Sequence, residues 1–162
     1  TLEVKLELIS FRAPYVKADG QGRQWYGLFP ADWSAVPQEI EDLKLRLQKL
    51  NLNKIPFSRT FLLGFSQGAA MALASGGDLP LAGLILCSGY PHPSWKPSKI
   101  TPPMLLTHGV IDDVVPIEAA KNIIKLLANN QSIYDLYKFN GGHEINQECI
   151  VKVSSFIKNN LT

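Results

Sequence analysis

The chain has 162 residues, 46% of them hydrophobic and 19% charged, and carries a net charge of +2. That length suits one domain with a proper core, and the balance is that of a globular chain rather than a disordered or fibrous one. No Lys/Arg cluster points to nucleic acid, no apolar run is long enough to span a bilayer, and no leader-like basic-then-apolar stretch opens the chain.

Residues 2–8 alternate apolar and charged, as a half-exposed strand does. Residues 11–37 are irregular and rich in Gly, Pro and aromatic side chains. Ile40, Leu43, Leu47 and Leu50 recur three and four apart among charges, which predicts an amphipathic helix. Residues 60–65 (TFLLGF) form a short apolar run without alternation, the pattern of a strand buried on both faces. A short helix over 67–77 follows, stopped by Gly76 and Gly77. Further buried strands are predicted at 81–89 and 104–109, with a Pro-rich loop between them. Then come a helix over 116–130 with Pro116 at its start, a strand at 133–139 and a terminal helix within 144–160. Strands alternating with helices predict an α/β domain with a mostly parallel sheet and helices on both faces. Cys87 and Cys149 lack metal-ligand spacing and read as buried free thiols, which favours a reducing, cytoplasmic setting.

The stretch LLGFSQGAAMALASGG (62–77) places Ser66 between a buried strand and a helix. Reactive groups collect at such strand ends. A strand-to-helix turn this short is strained, and it lifts the serine oxygen out of the chain path. Side chains two positions either side of the serine would collide, so Gly64 and Gly68 suit the corner. Ala69 and Ala70 let the helix lie close to the sheet. The N–H of Gln67, at the helix start, faces the same space as the serine oxygen and suits an oxyanion.

A serine hydroxyl is a weak nucleophile and needs a base, which in turn needs an orienting carboxylate. His143 lies in a glycine turn (FNGGHEI) after the last strand, in reach of the same rim. His108 ends a buried strand and reads as an anchor for its loop. His92 reads as a surface loop residue. The acid is expected after the third buried strand, in THGVIDDVVP, where Asp112 and Asp113 both qualify and periodicity does not choose between them. The partner of the chosen one would cap the next helix or face water. Asp78 on a turn and Asp135 within a strand are poorer choices. Trp25, Tyr26, Leu28, Phe29, Trp33 and Trp95 fall in loops; each lines a substrate pocket or simply packs its loop on the core.

Four stretches together resemble the phospholipase/carboxylesterase family of α/β-hydrolases, which includes the acyl-protein thioesterases: GFSQGAAMAL around Ser66, CSGYPHP (87–93), HGVIDDVVP (108–116) and GGHEI (141–145). FRAP followed by GRQWYGLF resembles the family's substrate-side loop. The resemblance implies the α/β-hydrolase fold and cleavage of small acyl esters or thioesters with no cofactor and no metal. It implies Ser66, Asp112 and His143 as the catalytic set, Asp112 by its place four residues after His108. It also implies Gln67 at the oxyanion and Trp25 on the substrate side. No nucleic acid and no membrane span belong to this reading; a homodimer is compatible with it. The family carries an early strand ending in a His-Gly loop that supplies a second oxyanion N–H, and no counterpart precedes Ser66. Three explanations fit: a single domain over 1–162 that is a fragment or has lost a segment between Ser10 and Phe11, residues 2–9 sliding into the vacant strand position, or a partner chain supplying the strand. The missing loop also motivates a second functional reading, an inactive binding protein on the same scaffold.

Overall fold

The structure, a computed structural model, describes residues 5–28 and 30–161. Its first regular pieces are two-residue strands, β1 (Tyr15–Val16) and β2 (Arg23–Gln24), paired antiparallel. The Arg23 guanidinium donates to the carbonyls of Ala13 and Pro14, which closes this loop on itself. Helix α1 (Val36–Leu52) carries Pro37 in its first turn, where a missing N–H costs nothing. A 3₁₀ turn at Phe57–Arg59 leads into β3 (Phe61–Phe65), α2 (Gln67–Gly76), β4 (Gly83–Cys87), β5 (Met104–Gly109), α3 (Glu118–Leu127), β6 (Tyr134–Phe139) and α4 (Gln147–Asn160). The elements predicted from residue 36 onward are therefore all present.

Strands β3, β4, β5 and β6 form one sheet in that order, parallel throughout. Alternation along the strands divides the core. Leu84, Leu86, Met104 and Leu106 meet Leu73 of α2 and Ile123 of α3 on one face. Ile85, Cys87 and Leu105 meet Phe156 and Ile157 of α4 on the other. Helix α1 packs outside α2, with Leu43 and Leu47 against Met71, Trp25 and Tyr26. Both cysteines are free and buried, as their spacing suggested. No described helix is long and apolar enough to cross a membrane.

Three expectations are corrected. The first is the strand over 2–8: residues 5–8 carry no strand, and 2–4 lie outside the described residues. Leu6 and Leu8 are exposed, so the apolar side of the alternating pattern has no surface to cover. The second is the double burial of 60–65. Leu63 is 49% exposed and Phe65 36%. Among the described residues β3 pairs only with β4, which makes it an edge. The Ser66 N–H donates to Cys87 O at 2.9 Å, so residues 62, 64 and 66 turn their backbone groups toward β4. Alternate residues of a parallel strand turn opposite ways, so Phe61, Leu63 and Phe65 turn theirs outward. A groove of about 910 Å³ runs along that side, with residues 5–11 forming another of its walls.

The third correction is His92, expected at the surface and only 3% exposed. Its ring stands edge-on to Tyr26, with centroids 5.3 Å apart. Its Nε2 shares a 2.8 Å hydrogen bond with the Tyr26 hydroxyl, which also meets the Tyr90 hydroxyl at 2.7 Å. An imidazole with an aromatic neighbour and a hydroxyl partner is stable inside when neutral, and burial pushes its pKa down to about 4.

Two outcomes are expected in urea unfolding. Leu86→Ala, at a fully buried site, costs about 2–5 kcal/mol, whereas Leu63→Ala on the open edge costs under about 1 kcal/mol. Stability is also expected to fall with acid between the ordinary histidine value of about 6.5 and the folded value. In that window the unfolded chain binds the extra proton, so the loss reaches about 1.4 kcal/mol per pH unit. His92→Gln should flatten this slope; an unchanged slope removes His92 as its source.

Candidate active site

A parallel sheet points all its strand ends one way, so the loops after β3, β5 and β6 share one rim. The first holds Ser66, at φ 54° and ψ −121°. A non-glycine residue in that region carries about 1–3 kcal/mol of strain and persists only where its surroundings over-determine it. Gly64 is one determinant: a Cβ there would stand 2.1 Å from Gly68 O. Gly68 itself does not need to be glycine, since a Cβ at that position meets nothing within 4 Å. What the corner takes from residue 68 is its backbone. The Ser66 carbonyl then accepts from Ala69 N at 3.0 Å and Ala70 N at 3.1 Å, starting α2. Gln67, the first residue of α2, has one of the N–H groups that a helix start leaves without an internal partner.

The loop after β5 holds Asp112, whose side chain is fully buried. Its Oδ1 accepts from Val115 N at 2.8 Å and Val114 N at 3.1 Å. Its Oδ2 accepts from His143 Nδ1 at 2.8 Å. Burial pushes this carboxyl's pKa up; the hydrogen bonds from His143, Val115 and Val114 outweigh it and hold the pKa below the ordinary value. Asp113 is exposed. Contact with the imidazole thus separates the two adjacent carboxylates that periodicity left level. His108, 1% exposed, donates from Nε2 to Val115 O at 2.7 Å and ties the loop to the strand end, the anchoring role read from sequence. Asp78 pairs with Lys44 away from this rim, and Asp135 is exposed within β6.

The loop after β6 carries Gly141, Gly142 and His143. It lies so close to β5 that a Cβ on Gly109 would stand 2.3 Å from both Gly141 O and Gly142 O. The His143 ring packs on Phe65, with centroids 4.6 Å apart and planes tilted by 38°. The imidazole therefore rests on the residue that precedes Ser66. Asp112 and His143 are in direct contact; among the described residues no hydrogen bond joins His143 to the Ser66 hydroxyl.

The loop aromatics divide. Tyr26 is buried, and Trp95 packs, partly buried, against the core cluster that α2 and α3 form with the sheet. Trp33 is 40% exposed beside Tyr26 and His92. Trp25, 8% exposed, packs against the α1 cluster and also lines the β3 groove, which passes Phe65 and Gly68 on either side of Ser66. Phe29 lies outside the described residues. Sequence reasoning missed two contributors. The apolar run 60–65 places Phe65 in the core, whereas its position at the end of β3 puts it at the rim, 36% exposed. The Gln67 side chain, for which the sequence suggests only a backbone role, holds Trp25 N and Tyr26 O.

The profile of the Phospholipase/Carboxylesterase family matches residues 5–161. A probable carboxylesterase of Oryza sativa subsp. japonica is 34% identical over 141 residues, which is 82% of this chain and 53% of the rice protein. Acyl-protein thioesterase 1 of Eremothecium gossypii is 25% identical over 149 residues, 86% of this chain and 63% of that protein. The chain thus spans about half the length of the rice relative. Among solved structures, esterase PE8 superposes with a TM-score of 0.77 at 28% identity, covering 93% of this chain and 76% of that one. The Bacillus cereus carboxylesterase reaches 0.78 at 14% identity, over 92% and 73% of the two chains, a likeness of fold. The parallel sheet, its flanking helices and the family match together establish that this chain has the α/β-hydrolase fold and belongs to the phospholipase/carboxylesterase family.

Proposed function

We propose that the chain is a carboxylic-ester hydrolase of the carboxylesterase or acyl-thioesterase type, acting through Ser66, His143 and Asp112 without a cofactor. The observation that carries this reading is the 2.8 Å hydrogen bond from His143 Nδ1 to buried Asp112, with the imidazole resting on the residue before the strained serine. A carboxylate accepts, so Nδ1 holds the proton and Nε2 keeps a lone pair, the tautomer able to act as base.

In the proposed reaction Ser66 Oγ attacks the acyl carbonyl while its proton passes to His143 Nε2. The hydroxyl and imidazole close to hydrogen-bond reach when substrate is bound, since such contacts are commonly long in an empty site. The oxyanion faces the Gln67 N–H at the start of α2. The C–O or C–S bond breaks, and the leaving alcohol or thiol takes the proton from His143. Water then attacks the acyl-enzyme with the same imidazole as base, freeing the acid and restoring Ser66. Asp112, held below the ordinary carboxylate range, stays ionised at neutral pH and stabilises the imidazolium formed in each step.

The substrate class, a small acyl ester or thioester, is supported by the names of the relatives. A cytoplasmic setting, supported by two buried free thiols, and a homodimer belong to the same proposal. So does a single domain lacking a segment between Ser10 and Phe11; the groove between residues 5–11 and the outer side of β3 supports it. A second reading, an impaired or inactive binding protein, draws on the single oxyanion donor assigned, because loss of one donor lowers the rate about 10²–10³-fold.

Labelling with a fluorophosphonate probe separates the two readings. Labelled wild-type protein with unlabelled Ser66→Ala supports the hydrolase; folded wild-type protein that resists the probe supports the binder. Asp112→Asn should lower p-nitrophenyl ester turnover by about 10⁴-fold through the wrong imidazole tautomer. Gly64→Ala should lower labelling and thermal stability together, because its Cβ forces the corner open.

A further inference from the structure

The side-chain amide of Gln67 reaches 41 and 42 residues back along the chain. Its Oε1 accepts from Trp25 N at 2.8 Å, and its Nε2 donates to Tyr26 O at 2.8 Å. A backbone N–H only donates and a carbonyl only accepts, so these two partners fix which way the amide is turned. No other charge-neutral side chain of this length offers one donor and one acceptor side by side.

What the amide holds is not a free loop. Trp25 is 8% exposed and packs with Leu43, Leu47 and Met71. Tyr26 is 1% exposed, and its hydroxyl is tied to Tyr90 and His92 in the segment after β4. One run of hydrogen bonds therefore joins the start of α2, the 25–26 segment and the loop following β4. On its strand side the same corner is held by Ser66 N donating to Cys87 O. The Ser66 side chain makes no capping hydrogen bond of its own to α2.

From this geometry we infer that the Gln67 side chain is a positioning residue, clamping the Trp25–Tyr26 segment to the serine corner so that the Gln67 N–H is held where the oxyanion forms. The inference rests on the hydrolase reading above. The strained backbone at Ser66 persists only where it is held from both sides; on the helix side Ala69 N and Ala70 N hold its carbonyl, and the clamp fixes Gln67 itself against the 25–26 segment. A shift of about 1 Å in such a donor can lower a rate about 10²-fold without touching the substrate. The clamp thus acts on turnover more than on substrate affinity.

The test compares Gln67→Ala and Gln67→Glu with the wild-type chain, each first shown to melt cooperatively. Glu keeps the acceptor for Trp25 N and loses the donor for Tyr26 O; Ala loses both. Three readouts are taken: kcat and KM on a p-nitrophenyl ester, the rate of fluorophosphonate labelling at Ser66, and deuterium exchange at the Trp25 amide. The expected result for Gln67→Ala is a fall in kcat and labelling of about 10–100-fold with KM within about threefold, and faster exchange at Trp25. Gln67→Glu should lose turnover while keeping most of the Trp25 protection. A folded Gln67→Ala protein with wild-type kcat, or with unchanged Trp25 exchange, overturns the inference. So does a loss confined to KM, which marks Gln67 as a plain substrate contact. Wild-type protein that is never labelled overturns the hydrolase reading first and the catalytic role of the clamp with it.

Discussion

Backbone meets backbone without a side chain between them at Gly64 and Gly68, and most of the rim is arranged around that contact. The strand before Ser66 and the helix after it would be pushed apart by a single methyl group on residue 64. Because they are not, the chain reverses within one residue at positive φ, and Ser66 stands at the end of β3 with the first turn of α2 behind it. The same device recurs where Gly109 lets the Gly141–Gly142 segment lie against the end of β5. That second contact brings His143 over Phe65 and against Asp112. Two glycines on two strands thus set the positions of an imidazole and a hydroxyl that are far apart in sequence.

The electrostatics follow from this placement. A fully buried carboxylate is unfavourable unless its oxygens are filled. Those of Asp112 accept from two backbone N–H groups and one imidazole. His108 stands beside the same carboxylate, its Nε2 3.6 Å from Oδ2, and holds the carbonyl of Val115, whose N–H is among those donors.

Much of this was legible in the sequence. Apolar runs marked the parallel strands β3 to β5, and spacings of three and four marked α1. Both depend on near neighbours in the chain. What was not legible depends on neighbours across space. Nothing in FLLGF states how many strands lie beside it, so its exposed outer side could not be read. YPHPSW looks like a surface loop because its Pro and polar residues are loop-formers; that His92 is buried depends on Tyr26, which precedes it by 66 positions. The choice of Asp112 over Asp113 needed either a family pattern or a fold, because adjacent residues share every local property. The amide of Gln67 gave no signal of its own, since a glutamine at a helix start is ordinary until its distant partners are known.

The outward-turned backbone groups of Phe61, Leu63 and Phe65 reach beyond the single molecule. Among the described residues these groups have no strand beside them, and a row of such groups flanked by exposed Leu63 is a template for strand pairing. An open edge of this kind is where pairing with a second chain would begin, so the side of the sheet that carries Ser66 is also the side least closed to self-association.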